Sequence, residues 1–438
     1  MRAQNEIRGI LVIACIIGLA LLGAAPRSTA QDHWVATWAA SPQSAHFVFP
    51  RAFRPPAPPA GQQSTNNPPR PIFPEPPTIH NQTVRMIVHT SVGGHRVRVQ
   101  LSNAFGTTAL KVGAAHIALR DKESAIVPGS DRPLTFSGGP SFNIPPGAEV
   151  LSDPVDLEVP KLGDLVISVY IPGEASTATV HLTGLHTTYI SQPGDFTAAA
   201  SIAPATTLQM WYWISGVDVL APKDSGLIVA FGDSITDGAT STPDTDSSWP
   251  SQLAQRLAAN KATAKLAIVN EGISGNRVLN DGAGVSALER LDRDVLSQPG
   301  VKWLIVLEGI NDIGIGSLPG ADPSDAVTAD DLIAGYKQII ERAHVHGIKV
   351  IGATLTPYVG AAYASDSGEM IREAVNKWTL TSGAYDGVVD FDAATQDPAN
   401  PKQIRPAYNI RDHLHPNDVG YKAMADAVNL SIFTGKAK

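Results

Sequence analysis

The stretch that decides the fold of this 438-residue chain is Leu227-Ile228-Val229-Ala230-Phe231-Gly232-Asp233-Ser234-Ile235-Thr236-Asp237-Gly238. Its first five residues are apolar, a run too short for an independent helix and typical of a strand buried on both faces of a parallel sheet. Gly232 ends the run, and Ser234 follows at the carboxyl end of the strand, where open α/β sheets bind their ligands. One interpretation is a turn in which Asp233 or Ser234 only caps the next helix. The other is a nucleophilic serine.

From this stretch to its end the chain alternates between strand and helix patterns. Apolar residues spaced by four, Trp249, Leu253 and Leu257, predict a helix directly after it. Five strands separated by helices predict a parallel, helix-covered α/β sheet with right-handed crossovers. The further strands are predicted at 266–269, 303–307, 349–353 and 388–391, and the further helices at 332–343, 370–378 and 419–430.

The segment from Trp34 to about Ala221 is typical of β-structure. The runs 84–89 and 96–101 flank Gly93-Gly94 and predict a hairpin. Further strands are predicted at 112–119, 165–171, 186–190 and 208–214. Short strands separated by turn residues predict an antiparallel β-sandwich, jelly-roll-like. The sequence therefore divides into an N-terminal domain (31–221) and an α/β domain (225–438), with the boundary near 221–224.

A proline-rich insertion at residues 50–77 interrupts the β-rich segment. It holds 11 of the 34 prolines of the chain, with a polar stretch from Gly61 to Asn67 at its centre. Proline cannot donate to a β-ladder, so we expect an exposed, partly extended loop.

Residues 1–30 have the pattern of a secretory signal peptide. Arg2 and Arg8 precede an apolar run from Ile10 to Ala25, and Ser28-Thr29-Ala30 is a small-x-small cleavage pattern. The alternative is an uncleaved anchor, but the run is shorter than the ~20 residues that a bilayer-spanning helix needs. The sequence predicts a secreted protein without a stable membrane anchor.

The composition also limits which catalytic groups, metal sites and binding partners the protein can have. The single cysteine, Cys15, lies in the predicted signal, so the mature chain would have no thiol nucleophile, disulfide or cysteine-ligated zinc. The net charge is −8, and it becomes −10 without residues 1–30, which carry three arginines and one glutamate. An acidic chain without a basic cluster argues against nucleic acid or an anionic membrane as a partner.

Four groups of chemically useful residues follow predicted strands at their carboxyl ends. They are Ser234, the glycine-rich segment 272–277, the segment 308–312 and the segment 412–416. A serine hydroxyl needs a base, and an imidazole serves as that base when a carboxylate holds its other nitrogen. Asp412 and His415 are three residues apart, so one turn can bring them together. His413 is the competing base, but its position next to Asp412 would point it to the other side.

Acyl transfer also needs donors for a developing oxyanion. The candidates are the backbone N–H groups of Ser234 and Gly275 and the side-chain amide of Asn311. Each has a simpler explanation: Gly275 could only turn the chain, Asn311 could only bond its own loop, and Asp412-His415 could be a surface turn. Their joint occurrence, in order and at corresponding strand ends, favours a catalytic site. No metal-ligand pattern accompanies it, so we expect neither a metal nor a cofactor.

The four blocks Gly232–Ile235, Gly272–Asn276, Gly309–Asp312 and Asp412–His415 resemble, in order, the four signature blocks of the SGNH (GDSL) hydrolase family. The resemblance implies a flavodoxin-like sheet, a nucleophile at Ser234, oxyanion donors at Ser234, Gly275 and Asn311, and acid/base roles for Asp412 and His415. Ile235 replaces the usual leucine, a conservative change. The whole chain is also similar to secreted bacterial acylhydrolases of this family, some of them associated with xylan degradation.

Other side chains that could carry a function have simpler interpretations. Trp211 and Trp213 could stack on sugar rings, but packing in the core is favoured. His344 and His346 fit the negative end of a helix better than a metal site. Asp292-Arg293-Asp294 is predicted to be a solvated helix face.

These observations predict a secreted serine esterase that acts on a small-molecule or polysaccharide ester. Acetyl groups on a plant polysaccharide are the preferred substrate. A lipase or general short-chain acylhydrolase is the first alternative, and a non-catalytic glycan-binding protein is the second.

Overall fold

The computed structural model describes residues 33–45, 75–175, 177–318 and 321–434. The predicted signal peptide and the proline-rich insertion, apart from residues 75–77, lie outside these ranges. From Trp34 onward the chain forms one compact unit. None of the helices in the described ranges has the length and apolar composition needed to cross a lipid bilayer.

The β-rich part precedes residue 221 and is built from short strands. Within its described residues these are β1 (Trp34–Ala39), β2 (Gln43–Ser44), β3 (Ile79–His89), β4 (Gly94–Ser102), β5 (Leu110–Val112), β6 (Ala114–Leu119), β7 (Arg132–Leu134), β8 (Phe142–Ile144), β9 (Glu149–Leu151), β10 (Val155–Val159), β11 (Asp164–Ala175), β12 (Thr179–His181), β13 (Thr188–Pro193), β14 (Pro204–Leu208), β15 (Trp211–Tyr212) and β16 (Ile214–Leu220).

Antiparallel pairing joins most of these strands into two large sheets, and two smaller sheets have the orders β15-β12-β2 and β5-β8. One large sheet has the order β1-β16-β4-β10, with β9 also on β4, and the other has the order β14-β13-β3-β11-β6-β7. Alternate residues of the two sheets, such as Val97 and Val99 on β4 and Ile167 and Val169 on β11, are fully buried in one hydrophobic core. The prediction of an antiparallel N-terminal part is confirmed.

The hairpin predicted across Gly93-Gly94 is wrong. β3 pairs with β11 and β13, whereas β4 pairs with β16, β10 and β9, so the two runs lie in different sheets. The Thr37 hydroxyl of β1 holds the segment between them: it accepts the N–H groups of Ser91 (3.1 Å) and Val92 (3.0 Å) and donates to the Val92 carbonyl (2.6 Å). Alternation predicted the strands but contained no information about their partners.

The strand predicted over 208–214 is also divided. Its residues belong to β14, β15 and β16, which lie in three different sheets. Trp213, between β15 and β16, has a positive φ of 56°, which interrupts an extended chain. The apolar pattern predicted β-structure here, and the backbone reversal at Trp213 was not visible in it.

The α/β part follows, and its described elements alternate as predicted. The strands are β17 (Gly226–Gly232), β18 (Leu266–Gly272), β19 (Val301–Leu307), β20 (Lys349–Ala353) and β21 (Gly387–Val389), with a β22 (Gln396–Asp397) and β23 (Asn400–Ile404) ribbon. The α-helices are α1 (Ser234–Asp237), α2 (Trp249–Ala259), α3 (Ala287–Leu291), α4 (Ile310–Gly316), α5 (Ala329–Val345), α6 (Asp366–Thr381), α7 (Phe391–Thr395) and α8 (Asp418–Ala427). A π-helical turn (Asp292–Leu296) and 3₁₀ turns (Pro323–Asp325, Pro406–Tyr408, Leu430–Phe433) complete it.

The five principal strands of this part form a parallel sheet in the order β18-β17-β19-β20-β21. This is the flavodoxin-like order, and it confirms the predicted sheet. Every residue of β17, which lies between β18 and β19, is buried, as the apolar run predicted. The topology places the ends of β17, β18 and β19 side by side, and Ser234, Gly275 and Asn311 follow these three ends.

The β-rich part packs against the α/β part. The N–H of Ala36 on β1 donates to the Pro299 carbonyl (3.1 Å), and the N–H of Ile268 on β18 donates to the Ser91 hydroxyl (3.1 Å). One hydrophobic core contains residues of both parts, including Val35 and Ala267. The division into two domains at 221–225 stays a prediction.

Candidate active site

Ser234 begins α1 directly after β17. Asp233 is the N-cap of this helix, and its Oδ1 accepts the N–H of Ile235 (2.9 Å). Gly238 ends the helix in the left-handed region with φ 99°, where glycine avoids the cost of a Cβ. The two interpretations of the turn are therefore compatible: Asp233 caps the helix, and Ser234, the candidate nucleophile, is left with 5% of its surface exposed.

His415 and Asp412 approach Ser234 from the loop before α8. The Ser234 Oγ lies 2.8 Å from the His415 Nε2, and the His415 Nδ1 lies 2.6 Å from the Asp412 Oδ2. Since Asp412 accepts from Nδ1, that nitrogen carries the proton, and Nε2 can accept the proton of the serine hydroxyl. His413 has a positive φ of 60° and its ring lies against Gly360.

The environment of Asp412 keeps it ionised. Burial by itself would raise its pKa, but the hydrogen bond and charge of His415, together with the N–H groups of Leu414 and His415 (both 3.0 Å), lower the pKa of Asp412 to about 2. Asp412 can therefore hold the imidazole in one orientation over the neutral pH range.

The three candidate oxyanion donors surround the end of β17. The segment Gly272–Arg277, which we call the oxyanion loop, turns at Gly275 with φ 83°, and a Cβ there would lie 2.8 Å from the Cβ of Ala283. Across the described residues, the N–H groups of Ser234 and Gly275 donate to no other residue. The Asn311 amide donates to the Asn276 carbonyl (3.0 Å) and accepts from the Tyr363 hydroxyl (3.2 Å), which orients its NH₂ group toward the oxyanion loop.

Asp312 supports the same loop, a role that was not predicted from the sequence. Its two carboxylate oxygens accept the N–H groups of Val278 (2.8 Å) and Leu279 (3.0 Å). Burial raises the pKa of Asp312 to about 6, even though these bonds and the nearby Arg277 act in the opposite direction. Asp312 thus holds the chain immediately after the oxyanion loop.

Arg290 is a second support that sequence reasoning missed. Its fully buried guanidinium donates to the Asn276 side chain (2.8 Å) and to the carbonyls of Gly232 (3.0 Å) and Glu271 (2.7 Å). It also contacts the carboxylate of Glu308 (3.5 Å) and lies over the ring of Phe231. One side chain therefore contacts the ends of β17 and β18 and the residue after β19, and no local spacing in the sequence indicates this.

The prediction of a solvated helix face at Asp292-Arg293-Asp294 is wrong for two of its three residues. Asp294 is buried, and its carboxylate lies between Arg290 (3.2 Å) and Arg293 (2.5 Å). Burial would raise its pKa, but the two guanidinium groups lower the pKa of Asp294. Arg293 also donates to the Pro42 carbonyl (3.2 Å), because this turn faces the β-rich part instead of solvent. Asp292 is exposed as predicted.

The other candidate residues have structural roles. Trp211 and Trp213 are buried, and the Trp211 indole N–H donates to the Ile87 carbonyl (2.8 Å), so the core-packing interpretation is confirmed. His344 lies in the last turn of α5, and its Nε2 contacts the Asp386 carboxylate (2.8 Å).

One group of side chains among the described residues could hold a metal ion. It consists of His89, Asp164 and Asp246, whose ligand atoms lie within 4.8 Å of one another. Arg120 (2.9 Å) already binds the other oxygen of Asp164, and His186 (2.9 Å) binds the other oxygen of Asp246. These cations compensate the carboxylates, and the group is separate from the Ser234 constellation.

In comparisons with known proteins, part of the chain matches the sequence model of one protein family. Residues 230–423 match the sequence model of the GDSL-like lipase/acylhydrolase family. A search of curated proteins finds no match.

Solved structures that resemble the chain cover about half of it. A GDSL-like lipase from Bacteroides thetaiotaomicron is 20% identical, with 49% of this chain and 91% of that chain covered and a TM-score of 0.37. An acetylxylan esterase from Geobacillus stearothermophilus is 22% identical, with 47% and 94% covered and a TM-score of 0.36. An α/β hydrolase from the metagenome of Lake Arreo is 20% identical, with 50% and 98% covered and a TM-score of 0.38. At these values the similarities carry no argument about the substrate of this chain.

Proposed function

Because residues 230–423 belong to the GDSL-like lipase/acylhydrolase family and make the chain an ester-hydrolysing enzyme, we propose that Ser234, His415 and Asp412 carry out the hydrolysis as a catalytic triad. The observation that supports this most directly is the continuous path from the Ser234 Oγ to the His415 Nε2 (2.8 Å) and from the His415 Nδ1 to the Asp412 Oδ2 (2.6 Å). Both contacts are within hydrogen-bond reach, as proton transfer requires.

In the first step the Ser234 Oγ attacks the ester carbonyl carbon while its proton passes to the His415 Nε2. The carbonyl π electrons move to the oxygen, and the N–H groups of Ser234 and Gly275 with the Asn311 amide stabilise the resulting oxyanion. When the oxyanion collapses, the bond to the alcohol oxygen breaks and His415 returns its proton to the leaving alcohol. Water, deprotonated by His415, then hydrolyses the acyl-enzyme and regenerates Ser234.

We propose further that the enzyme is secreted and removes short acyl groups, acetyl above all, from plant polysaccharides. The signal-like pattern of residues 1–30 and the presence of a β-rich part support this choice. Nothing in the proposed steps needs a metal or a cofactor, since neutral N–H donors and one imidazole account for the charge and proton transfers.

The test measures acetate released from acetylated xylan, pectin and acetylated sugars by the purified protein. We expect release by the wild type, and a fall in kcat of about 10³-fold or more for Ser234→Ala. The exposed Ser382→Ala is the matched control and should keep wild-type activity. Full activity in Ser234→Ala would refute the triad.

A series of nitrophenyl esters of increasing acyl length separates the proposal from a lipase. We expect the highest kcat/KM on acetyl and propionyl esters. A maximum on long acyl chains, with no acetate release from polysaccharides, would favour the lipase alternative.

A further inference from the structure

We propose that the β-rich part contributes to the active site, because His181 at the end of β12 positions the oxyanion loop through Asp237. This inference rests on the proposed function, since a positioning residue has meaning only if Gly275 and Asn311 serve as oxyanion donors. It assigns a role to a residue that lies about fifty positions before the nucleophile in the sequence.

His181 is enclosed between the two parts of the molecule, with 3% of its surface exposed. Its Nδ1 lies 2.9 Å from the Ser41 carbonyl, and its Nε2 lies 3.1 Å from the Asp237 Oδ1. The ring of Trp211 packs beside it with 5.5 Å between ring centroids. The imidazole therefore has a fixed orientation between the β-rich part and α1.

Asp237 transmits this contact to the oxyanion loop. It is the last residue of α1, the helix that Ser234 begins. Its Oδ2 accepts both the N–H (2.8 Å) and the hydroxyl (2.6 Å) of Ser274, which directly precedes Gly275. Thr183, two residues after His181, donates to the Ser274 hydroxyl (3.0 Å). One carboxylate thus joins His181, the helix of the nucleophile and the loop of the second oxyanion donor.

The hydrogen-bond partners of His181 suit a proton on each ring nitrogen. A carbonyl can only accept, so the Nδ1 that faces Ser41 carries a proton, and a second proton on Nε2 would be donated to the Asp237 carboxylate. His181 is therefore a buried imidazolium. Its positive charge is compensated by the carboxylate of Asp237 instead of by solvent.

The electrostatics agree with this geometry. Burial by itself lowers the pKa of His181, but the charge and hydrogen bond of Asp237 and the Ser41 carbonyl raise it above its ordinary value, against the opposing charge of Arg290. The other titratable groups on this side are His89, His186 and Asp246, which line the same small cavity as His181 and Asp237.

Loss of the His181 proton would place two acceptors, Nε2 and the Asp237 Oδ1, 3.1 Å apart. Their repulsion would move Asp237, and with it Ser274 and the Gly275 N–H. Since the folded pKa is raised, the contribution of the pair is complete below the unfolded value of ~6.5 and is lost as pH rises through the folded pKa. We therefore expect kcat to fall at alkaline pH while KM changes little, because the oxyanion forms only in the transition state.

The first experiment compares His181→Ala with His116→Ala in the full-length enzyme. The His116 Nδ1 lies 2.9 Å from the Asp131 carboxylate inside the β-rich part, which makes His116 a matched control. We expect kcat to fall about 10- to 100-fold in His181→Ala with KM within about threefold, and no change in His116→Ala. A folded His181→Ala enzyme with wild-type kcat would overturn the proposal.

The second experiment uses Asp237→Asn, which tests the positioning role of His181 even if the His181→Ala protein does not fold. An asparagine can accept from Ser274 through its oxygen and donate its amide to a neutral His181, so the geometry survives without the ion pair. We expect kcat at neutral pH within about tenfold of the wild type, and loss of the alkaline fall in kcat. A wild type without that fall, or a variant that keeps it, contradicts the proposal. The proposed function fails separately, if Ser234→Ala retains activity.

Discussion

Two aspartates near Ser234 have pKa values shifted in opposite directions because they face different partners. Asp412 faces a histidine and two backbone N–H groups, which lower its pKa. The Oδ2 of Asp233 is fully buried and has no hydrogen-bond partner within the described residues. Burial, with further contributions from Asp312 and Asp237, raises the pKa of Asp233 to about 7 although the Ile235 N–H and His415 act against this. Asp412 is therefore suited to pair with an imidazolium, whereas Asp233 holds a proton in the folded state.

The Asp233→Asn variant tests this difference. The amide oxygen can still accept the Ile235 N–H and cap α1, but the group no longer ionises. Between pH 4 and 7 Asp233 is protonated in the folded state and ionised in the unfolded state. The stability of the wild type therefore decreases as the pH rises, whereas this contribution is absent in the variant. We expect the unfolding free energy of the variant, relative to wild type, to increase by more than ~1 kcal/mol over this range.

Denaturant unfolding at several pH values measures that difference. The exposed Asp330→Asn is the control and should differ from wild type by a nearly constant amount. A constant difference for Asp233→Asn would mean that Asp233 is ionised in the folded state.

At the scale of elements, periodicity predicted most strands and helices but not their partners. Trp249, Leu253 and Leu257 are fully buried on α2, as their spacing predicts. The passage from β3 to β4 was misassigned because two strand-like runs beside a Gly-Gly pair also occur where a chain crosses between the sheets of a sandwich. Gly93 lies in that passage, where a Cβ would be 2.5 Å from the Val159 carbonyl oxygen and 3.0 Å from the Lys161 nitrogen.

The Gly93→Ala variant should therefore be destabilised. Backbone atoms cannot rotate away as a side chain can, so we expect a loss of about 1–3 kcal/mol of unfolding free energy. Gly139→Ala is the control, since a Cβ there meets its nearest atoms at an ordinary 3.5 Å. Thermal and denaturant unfolding would measure both variants. Equal stability of the two would show that the crossing segment can shift to accept a side chain.

At the scale of the whole molecule, a buried ionic network crosses the contact between the β-rich and α/β parts. Arg290 donates to the Ser41 hydroxyl (2.9 Å), and the Ser41 hydroxyl donates to the Glu271 carboxylate (2.6 Å). Burial, followed by the charges of nearby acids, raises the pKa of Glu271 and of Glu308 well above the usual value. Buried charges of this kind are costly when a partner is removed, because the remaining charge is left without compensation.

The Arg290→Met variant removes that partner while keeping much of the side-chain volume. Asp294 and the carbonyls of Gly232 and Glu271 lose a donor, so we expect a loss of about 3–5 kcal/mol of unfolding free energy. Lys422→Met, which breaks an exposed pair with Asp426 (2.7 Å), should cost less than about 1 kcal/mol. Chemical denaturation compares the two. A mild effect at Arg290 would mean that the surrounding acids bind protons and tolerate its loss.

The part of the site that sequence reasoning could find is the part encoded locally. Asp412 and His415 lie three residues apart, Asp233 and Ser234 are adjacent, and the glycine loop follows its own strand. The supports of these residues come from elsewhere in the chain: His181 is 56 positions from Asp237, and Ser41 is 249 positions from Arg290. A single sequence contains no periodicity or spacing that links such pairs, so the predictions named the candidate groups that the structure brings together, and missed the residues that hold them.

By itself the sequence determined the strand-to-serine turn, the order of strands and helices in the α/β part and the antiparallel character of the β-rich part. These depend on runs of apolar residues and on turn residues, whose effects are local. Tertiary structure decided which strands pair, that Asp294 is buried and Arg293 half-buried, and that Arg290 directly and His181 through Asp237 contact the oxyanion loop. The physical reason is that burial and charge pairing depend on which distant surfaces meet, and the Leu227–Gly238 stretch acquires its supporting residues only when the β-rich part packs against it.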